Sequence, residues 1–385
     1  MGDQEKKKSK GNRRRIRRKP SGSTLSFPVD LTSEILLRLP TRSVVRFRCV
    51  SKLWSSITTD PYFINSFQTR RSLLLLCFKK GDKVSVLSIP QHTQDWDKAY
   101  SSSLPIERYH MKLPGYGFHY HTESVHGLIC FEDSQNPVVW NPSMRSLLTL
   151  PNPNNHKSWT YKTLFLGYDP VEGKHKLVCF HSKKVSYVCR VLTLGSSQES
   201  WRTVRTNIKQ RVYSYTCGRC INGMIYYIAC NWKTFAYVVM RFDVRYEKFD
   251  MIEKPSNIDV DVLINYEGRI ACTDTYNDRR LWILEDAEKH KWSSQDFLVP
   301  LRHWDQRFTM CFKLQGFTHA GEFIFGSHSY QKSSYIVSYD PVRNSFGRLG
   351  FKGIANDELC LVNGVGDDTY EVHAFPNHTE SLLSL

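Results

Sequence analysis

Long apolar runs are missing from this chain, whose longest aliphatic stretch is Leu73–Leu76, continued only by Cys77 and Phe78. A helix needs about 20 consecutive apolar residues to span a bilayer, so no membrane-spanning helix and no membrane partner are expected. Charge rather than an apolar core follows Met1, so a secretory leader is not expected either. The eleven cysteines are odd in number and lack framework spacing, which points to reduced thiols. On that footing the sequon at Asn377-His378-Thr379 is expected to stay unmodified.

Catalytic signatures are equally scarce. There is no Gly-rich phosphate loop, no GxSxG elbow and no HExxH helix. Asp259, Asp261, Asp367 and Asp368 are dispersed and make no acid–base pair. Cys217-Gly-Arg-Cys220 has the spacing of a metal or redox pair, but no second pair lies at ligand distance and it precedes a strand. His119, His121 and His126 cluster around Glu123 in what reads as a loop entering a sheet, short of a converging ligand set. Neither a cofactor, a metal nor an enzymatic activity is expected.

What is present begins with charge. The net charge is +16, and half of the excess lies in residues 1–20, where ten Lys/Arg face only Asp3 and Glu5. The run from Lys6 to Lys19 has too little apolar content to fold, and its charges repel one another. It reads as a nuclear import signal, a nucleic-acid tether or a solvated tail. A nuclear location is the expectation, with the cytoplasm as a second compartment.

Between residues 27 and 70 the writing is helical. Asp30 is placed to cap a first helix in which Leu31, Ile35 and Leu39 repeat at i, i+4 and i+8, with Leu36 widening the stripe. Pro40 stops it and Thr41 is placed to cap a second helix, with Val44 and Phe47 on one face and Arg42, Arg46 and Arg48 in solvent. Ser51 is placed to cap a third, carrying Leu53, Trp54 and Ile57. Asp60-Pro61 then reads as a cap followed by proline at the first helical position, with Phe63 and Phe67 four apart. So short a segment is near the lower limit of a self-sufficient core. Its surplus apolar surface packs either on the rest of the chain or on another protein.

These residues resemble a family. Phe27-Pro28-x-Asp30-Leu31-x-x-Glu34-Ile35-Leu36-x-Arg38-Leu39-Pro40, followed by Val44-x-x-Phe47-Arg48-x-Val50-Ser51-Lys52-x-Trp54, is similar to the F-box in the form common among plant proteins. The resemblance implies docking on a Skp-family adaptor and, through it, on a cullin–RING ubiquitin ligase. It also implies that Pro28, Leu31, Ile35, Leu36, Leu39, Pro40, Val44 and Val50 face the adaptor or support that face, with Trp54 as a large anchor.

Beyond residue 70 the pattern changes to short runs of Val, Ile, Tyr, Phe and Trp broken by Gly, Asn, Asp and Pro, which is strand-and-turn writing. A corner residue followed six positions later by a large one recurs at Pro90…Trp96, Asn141…Leu147, Gly195…Trp201, Asp243…Phe249, Asp286…Trp292 and Asp340…Phe346. The corners are separated by 51, 54, 48, 43 and 54 residues. Several units carry an earlier hairpin with glycine before an apolar strand, as at Gly127, Gly223, Gly268 and Gly321. Two hairpins per unit of this length match a four-stranded propeller blade, close to the kelch period. About six blades follow, closed by strands at Leu359–Gly364 and Thr369–Phe375 that leave no open edge. A β-sandwich with recurring hairpins is the competing arrangement. The kelch double glycine is absent. Gly127-Leu-Ile-Cys130, Trp140-Asn-Pro-Ser143 and Leu166-Gly-Tyr-Asp-Pro170 resemble the F-box-associated domains that follow plant F-boxes, whose form is kelch-like.

The expected organisation is a basic tail over 1–24, a three-helix F-box module over 25–70, an all-β propeller over 72–376 and a C-terminal tail over 377–385. The resemblance implies the substrate-recognition subunit of a ubiquitin ligase, acting on an unknown protein target. The alternative is a nuclear nucleic-acid-binding propeller using the basic tail. Arg205–Arg219 with Tyr213 and Tyr215 has the composition of an RNA-stacking surface, although the aromatics suit strand interiors equally well, so nucleic acid is not the favoured partner. Loops at Gly115–Glu123, Ala229–Phe235 and Thr273–Arg279 are the candidates for target contact.

Overall fold

The computed structural model describes residues 28–70, 72–91, 107–112, 123–133, 136–153, 162–181, 184–196, 200–212, 218–274, 280–296, 312–327, 335–350 and 371–385. The basic tail, Trp96, His119, His121, Tyr213, Tyr215, Cys217, Leu359–Gly364 and Asp367–Asp368 lie outside the described residues.

The helical segment forms α1 (Val29–Leu37), α2 (Thr41–Phe47), α3 (Lys52–Thr59) and α4 (Pro61–Thr69), one helix more than the three expected. Two of the four expected caps differ. Pro28 and Pro40 take the cap positions of α1 and α2, so Asp30 and Thr41 stand inside the helices and cap nothing. A proline's fixed φ already supplies the extended backbone of a cap. Ser51 and Asp60 act as expected: the Ser51 hydroxyl accepts from the Trp54 N–H at 3.1 Å, and Asp60 accepts from Tyr62 and Phe63 with Pro61 in first position. Arg48 is half-buried rather than wet, donating to the Thr58 carbonyl at 3.3 Å.

The remainder is all β. The first blade holds β1 (Ser72–Lys80), β2 (Lys83–Pro90) and β3 (Glu107–Lys112). The second holds β4 (Ser124–Val125), β5 (Leu128–Asp133), β6 (Asn136–Asn141) and β7 (Ser146–Thr149). The third holds β8 (Lys162–Asp169), β9 (Lys174–His181), β10 (Ser186–Thr193) and β11 (Arg202–Val212). The fourth holds β12 (Arg219–Ile221), β13 (Met224–Asn231), β14 (Tyr237–Asp243) and β15 (Phe249–Ile252). The fifth holds β16 (Val260–Tyr266), β17 (Arg269–Asp274), β18 (Arg280–Asp286) and β19 (Lys291–Asp296). The sixth holds β20 (Phe312–Phe317), β21 (Phe323–Ser327), β22 (Tyr335–Asp340) and β23 (Ser345–Gly350). The last strand, β24 (Glu371–Thr379), returns to the first blade and pairs with β1.

Every blade is an antiparallel meander, and the leading strands β4, β8, β12, β16, β20 and β24 touch one another in turn around a closed ring. A sandwich has no such ring. Third and fourth blades fuse into one eight-stranded sheet because Gln210–Val212 at the end of β11 pairs with Ala229–Asn231 of β13. Blade faces interlock: Leu75, Cys77, Val84 and Val86 of the first pack on Ile129, Phe131, Val138 and Trp140 of the second.

The corner residues are turn builders. Asp243, Asp286 and Asp340 each accept from the N–H groups two and three residues on, and Asn141 accepts from Met144. Four residues after each of these corners the backbone turns left-handed, at Arg145, Glu247, His290 and Asn344. An Asx turn closed by one left-handed residue is a standard hairpin connection, which is why the motif recurs. Two of the large residues then tie adjacent blades: Trp201 donates to the Pro151 carbonyl at 2.7 Å and Trp292 to the Glu253 carbonyl at 2.8 Å.

Two histidines are sealed into this ring as neutral groups. His378 Nδ1 lies 2.7 Å from the Ser124 hydroxyl, and His175 Nε2 lies 3.1 Å from the Val125 carbonyl. Burial pushes each imidazole from 6.5 down to about 3, with His126 nearby adding to the effect at His175. The unfolded chain therefore takes up protons below pH 6.5 that the folded chain refuses until about pH 3, so stability falls as pH drops through that window. Each histidine contributes up to about 1.4 kcal/mol per pH unit. Urea unfolding at pH 7, 6 and 5 is expected to show that slope, and His378→Gln is expected to reduce it by about one proton; an unchanged slope would refute the assignment.

Candidate functional site

Large exposed apolar side chains concentrate in the helical module. Leu31 and Ile35, four apart on α1, are 54% and 53% exposed, with Val29 beside them. Val50, in the connection before α3, and Leu53 on α3 are exposed as well, as are Pro28 and Pro40 at the helix starts. Leu36 and Val44 point the other way, at 1% and 0% exposure, and hold the helices together. Leu39 is half-buried. Trp54 is half-buried too, lying edge-on to Phe47 with ring centroids 5.2 Å apart.

On the same helix, Glu34 accepts hydrogen bonds from Arg38 of the following turn and, on both carboxylate oxygens, from Arg70 Nη1 at 3.0 and 3.1 Å. Arg70, ahead of Arg38, holds this carboxyl below its usual range. The bridge links the end of α4 to α1 at the surface, while the buried core beneath fixes how the two helices pack.

The module does not complete its own core. Leu36, Leu37, Val44, Ile57, Phe63 and Phe67 close around Leu382, from the chain's other end. Residues 377–385, expected as a tail, divide in two: Asn377–Thr379 finish β24, and Glu380–Leu385 form a strap across the second blade. The Thr41 hydroxyl donates to Glu380 at 2.8 Å. Asn141 donates to the Ser381 and Leu383 carbonyls at 3.1 and 2.7 Å. Gly127 is required below the strap: its φ is +81°, and a Cβ there would sit 2.5 Å from the Thr379 carbonyl. Apolar Leu382 and Leu385 were the only sequence signal, too short to be periodic.

Along the axis of the ring a cavity of about 240 Å³ is lined by Glu123, Arg219, Asn265, Gln315 and His319 among others. Glu123 accepts from the Cys220 N–H at 2.6 Å, and burial pushes its carboxyl up to about 8 despite Arg219. Among the described residues no group of three or more His, Cys, Asp or Glu is arranged to hold a metal ion, and no helix is long and apolar enough to cross a membrane. Of the three candidate target loops, Ala229–Phe235 is described in full, while most of the other two falls outside the described residues.

Comparison with known proteins agrees with this division. Residues 24–66 match the F-box domain, and residues 73–379 match the F-box associated beta propeller domain. Three Arabidopsis thaliana proteins bearing the F-box name are 54%, 53% and 49% identical to this chain. The alignments cover 100%, 99% and 100% of this chain and 100%, 98% and 100% of those relatives.

The strap carries a prediction. Leu382→Asp places a charge among Phe63, Phe67 and Leu36, and a loss of about 3 kcal/mol in the stability of the helical module is expected, as for an unpaired buried charge. Limited proteolysis should then cut near residues 70–72 while the propeller stays intact. Equal resistance of variant and wild type would remove the strap from the module's core.

Proposed function

The chain belongs to the F-box proteins that carry an F-box-associated β-propeller, and on that membership we propose that it is the substrate-recognition subunit of a Skp–cullin–F-box ubiquitin ligase. The observation that carries the reading is the Leu31–Ile35 stripe: apolar, exposed and on a helix anchored by buried Leu36 and Leu37, inside the segment that matches the F-box. Exposed apolar surface on a rigid element is what an adaptor helix or loop would cover. Leu36, Val44 and Leu39 support that face from behind, and Pro28, Pro40, Val50 and Trp54 border it.

In this role the protein performs no bond chemistry. It raises the effective concentration of a bound target's lysines near a charged ubiquitin-conjugating enzyme, and catalysis takes place on other subunits. The basic run at 6–19 supports delivery of the assembly to the nucleus.

Calorimetric titration of the full chain with a purified Skp-family adaptor tests the reading. Leu31→Asp/Ile35→Asp is expected to weaken binding at least about 30-fold, the effect of losing one hot-spot residue. Its melting temperature should stay close to wild type, since both side chains face solvent. Absence of binding by the wild type, or unchanged binding by the variant, would overturn the proposal. Deleting residues 1–20 should shift a fluorescent fusion from nucleus to cytoplasm without altering adaptor affinity.

A further inference from the structure

Turns in an antiparallel meander alternate between its two ends. The strap lies against the β4–β5 and β6–β7 turns, at Gly127 and Asn141, so the helical module sits at the end of the propeller where first strands meet second and third meet fourth. The opposite end carries the turns between second and third strands and the crossings between blades. There, the fusion of third and fourth blades builds a continuous edge.

Trp232 and Phe235 stand on that edge, in the β13–β14 turn, 41% and 67% exposed with ring centroids 5.1 Å apart. Tyr187 at the start of β10 and Tyr237 at the start of β14 flank them and are also exposed. Lys209, near the end of β11, holds its ammonium 5.5 Å from the Trp232 ring and 5.8 Å from that of Tyr187. The backbone below is fixed: Phe235 N–H donates to the Asn231 carbonyl at 2.8 Å, Lys233 N–H donates to the Asn231 side chain at 2.9 Å, and Trp232 N–H reaches the Lys209 carbonyl.

This is the same turn as at the blade corners, with its left-handed position at Phe235, φ +55°. At Arg145, Glu247, His290 and Asn344 that position is polar, so the turn itself has no need of a phenyl ring. Phe235 is the one hydrocarbon side chain among the described non-glycine residues of positive φ, and it points to solvent. A bulky residue in a sparsely populated conformation, exposed, is placed for contact with something else.

Charge states what that contact is. Segments 184–187, 205–212 and 229–237, which make the edge, carry Lys184, Arg205, Lys209, Arg211 and Lys233 and no Asp or Glu. The Trp232 and Phe235 rings are tilted 55° to one another and so present no parallel platform for stacked bases, which favours a protein segment over RNA. We propose that the edge joining the third and fourth blades is the docking platform for an acidic, apolar-anchored stretch of the target protein, at the end of the propeller away from the helical module. The apolar anchor packs on Trp232 and Phe235, and flanking carboxylates meet Lys209 and Lys233. This rests on the substrate-receptor reading for the identity of the partner as a target.

The test uses the full chain and an array of twelve-residue peptides, each with one central Leu, Phe or Trp flanked by Glu/Asp, by Ser/Gly or by Lys/Arg, with a labelled oligouridine as a separate probe. Acidic-flanked peptides are expected to bind at least tenfold more tightly than neutral or basic ones. Trp232→Ala/Phe235→Ala should remove that binding, and Lys209→Glu/Lys233→Glu should reverse the charge preference. No preference for acidic flanks, or a preference unaffected by both double variants, overturns the proposal, as does binding of oligouridine alone that these substitutions abolish. Adaptor titration on the same proteins separates the two readings: the platform variants should keep wild-type adaptor affinity. Loss of adaptor binding in the wild type would remove the receptor role while leaving the peptide result standing.

Discussion

The pairing of β24 with β1 is the constraint from which the rest of the architecture follows. It joins residues some 300 positions apart in antiparallel register, with Leu76 opposite Ala374 and Phe78 opposite Val372. Loop-closure entropy grows only logarithmically with length, so a ring of six blades can be closed by one strand whose partners are buried on both faces. The pairing also supplies the first blade's missing leading strand, and so removes the open edge that an unclosed sheet would present.

The same register positions the helical module. Ser72, the first residue of β1, stands opposite Thr379, the last of β24. The chain entering the propeller from α4 and the chain leaving it toward the strap therefore emerge side by side. That adjacency brings Leu382 into the helical core and Glu380 to Thr41. A module too small to be self-sufficient borrows its last core residue from the C-terminus, and its exposed stripe on α1 remains free.

Alternation of turns then separates two surfaces of unlike chemistry. The strap end has polar blade corners and carries the helices, whose α1 holds the apolar Leu31–Ile35 stripe. The far end carries aromatics in a basic setting, built by the β11–β13 pairing that fuses two blades. The proposed receptor role, holding an adaptor and a target at once, needs such separation, and a propeller provides it because its turns face opposite ways.

Much of this was legible in the residues. The helical stripe at Leu31 and Ile35, the caps at Ser51 and Asp60 and the corners at Asn141, Asp243, Asp286 and Asp340 are local: each depends on hydrogen bonds within three or four residues. Asp30 and Thr41 were misread as caps because the preceding prolines supply the same backbone without a side chain. The fold class and six blades followed from repetition of local turns. What needed the tertiary structure was everything decided at long range: the insertion of Leu382 among the helices, the fusion of two blades, and the meeting of Tyr187, Lys209, Trp232 and Phe235 from separate strands. Periodicity reports what a residue does within its own element, and these contacts exist only once the ring has closed.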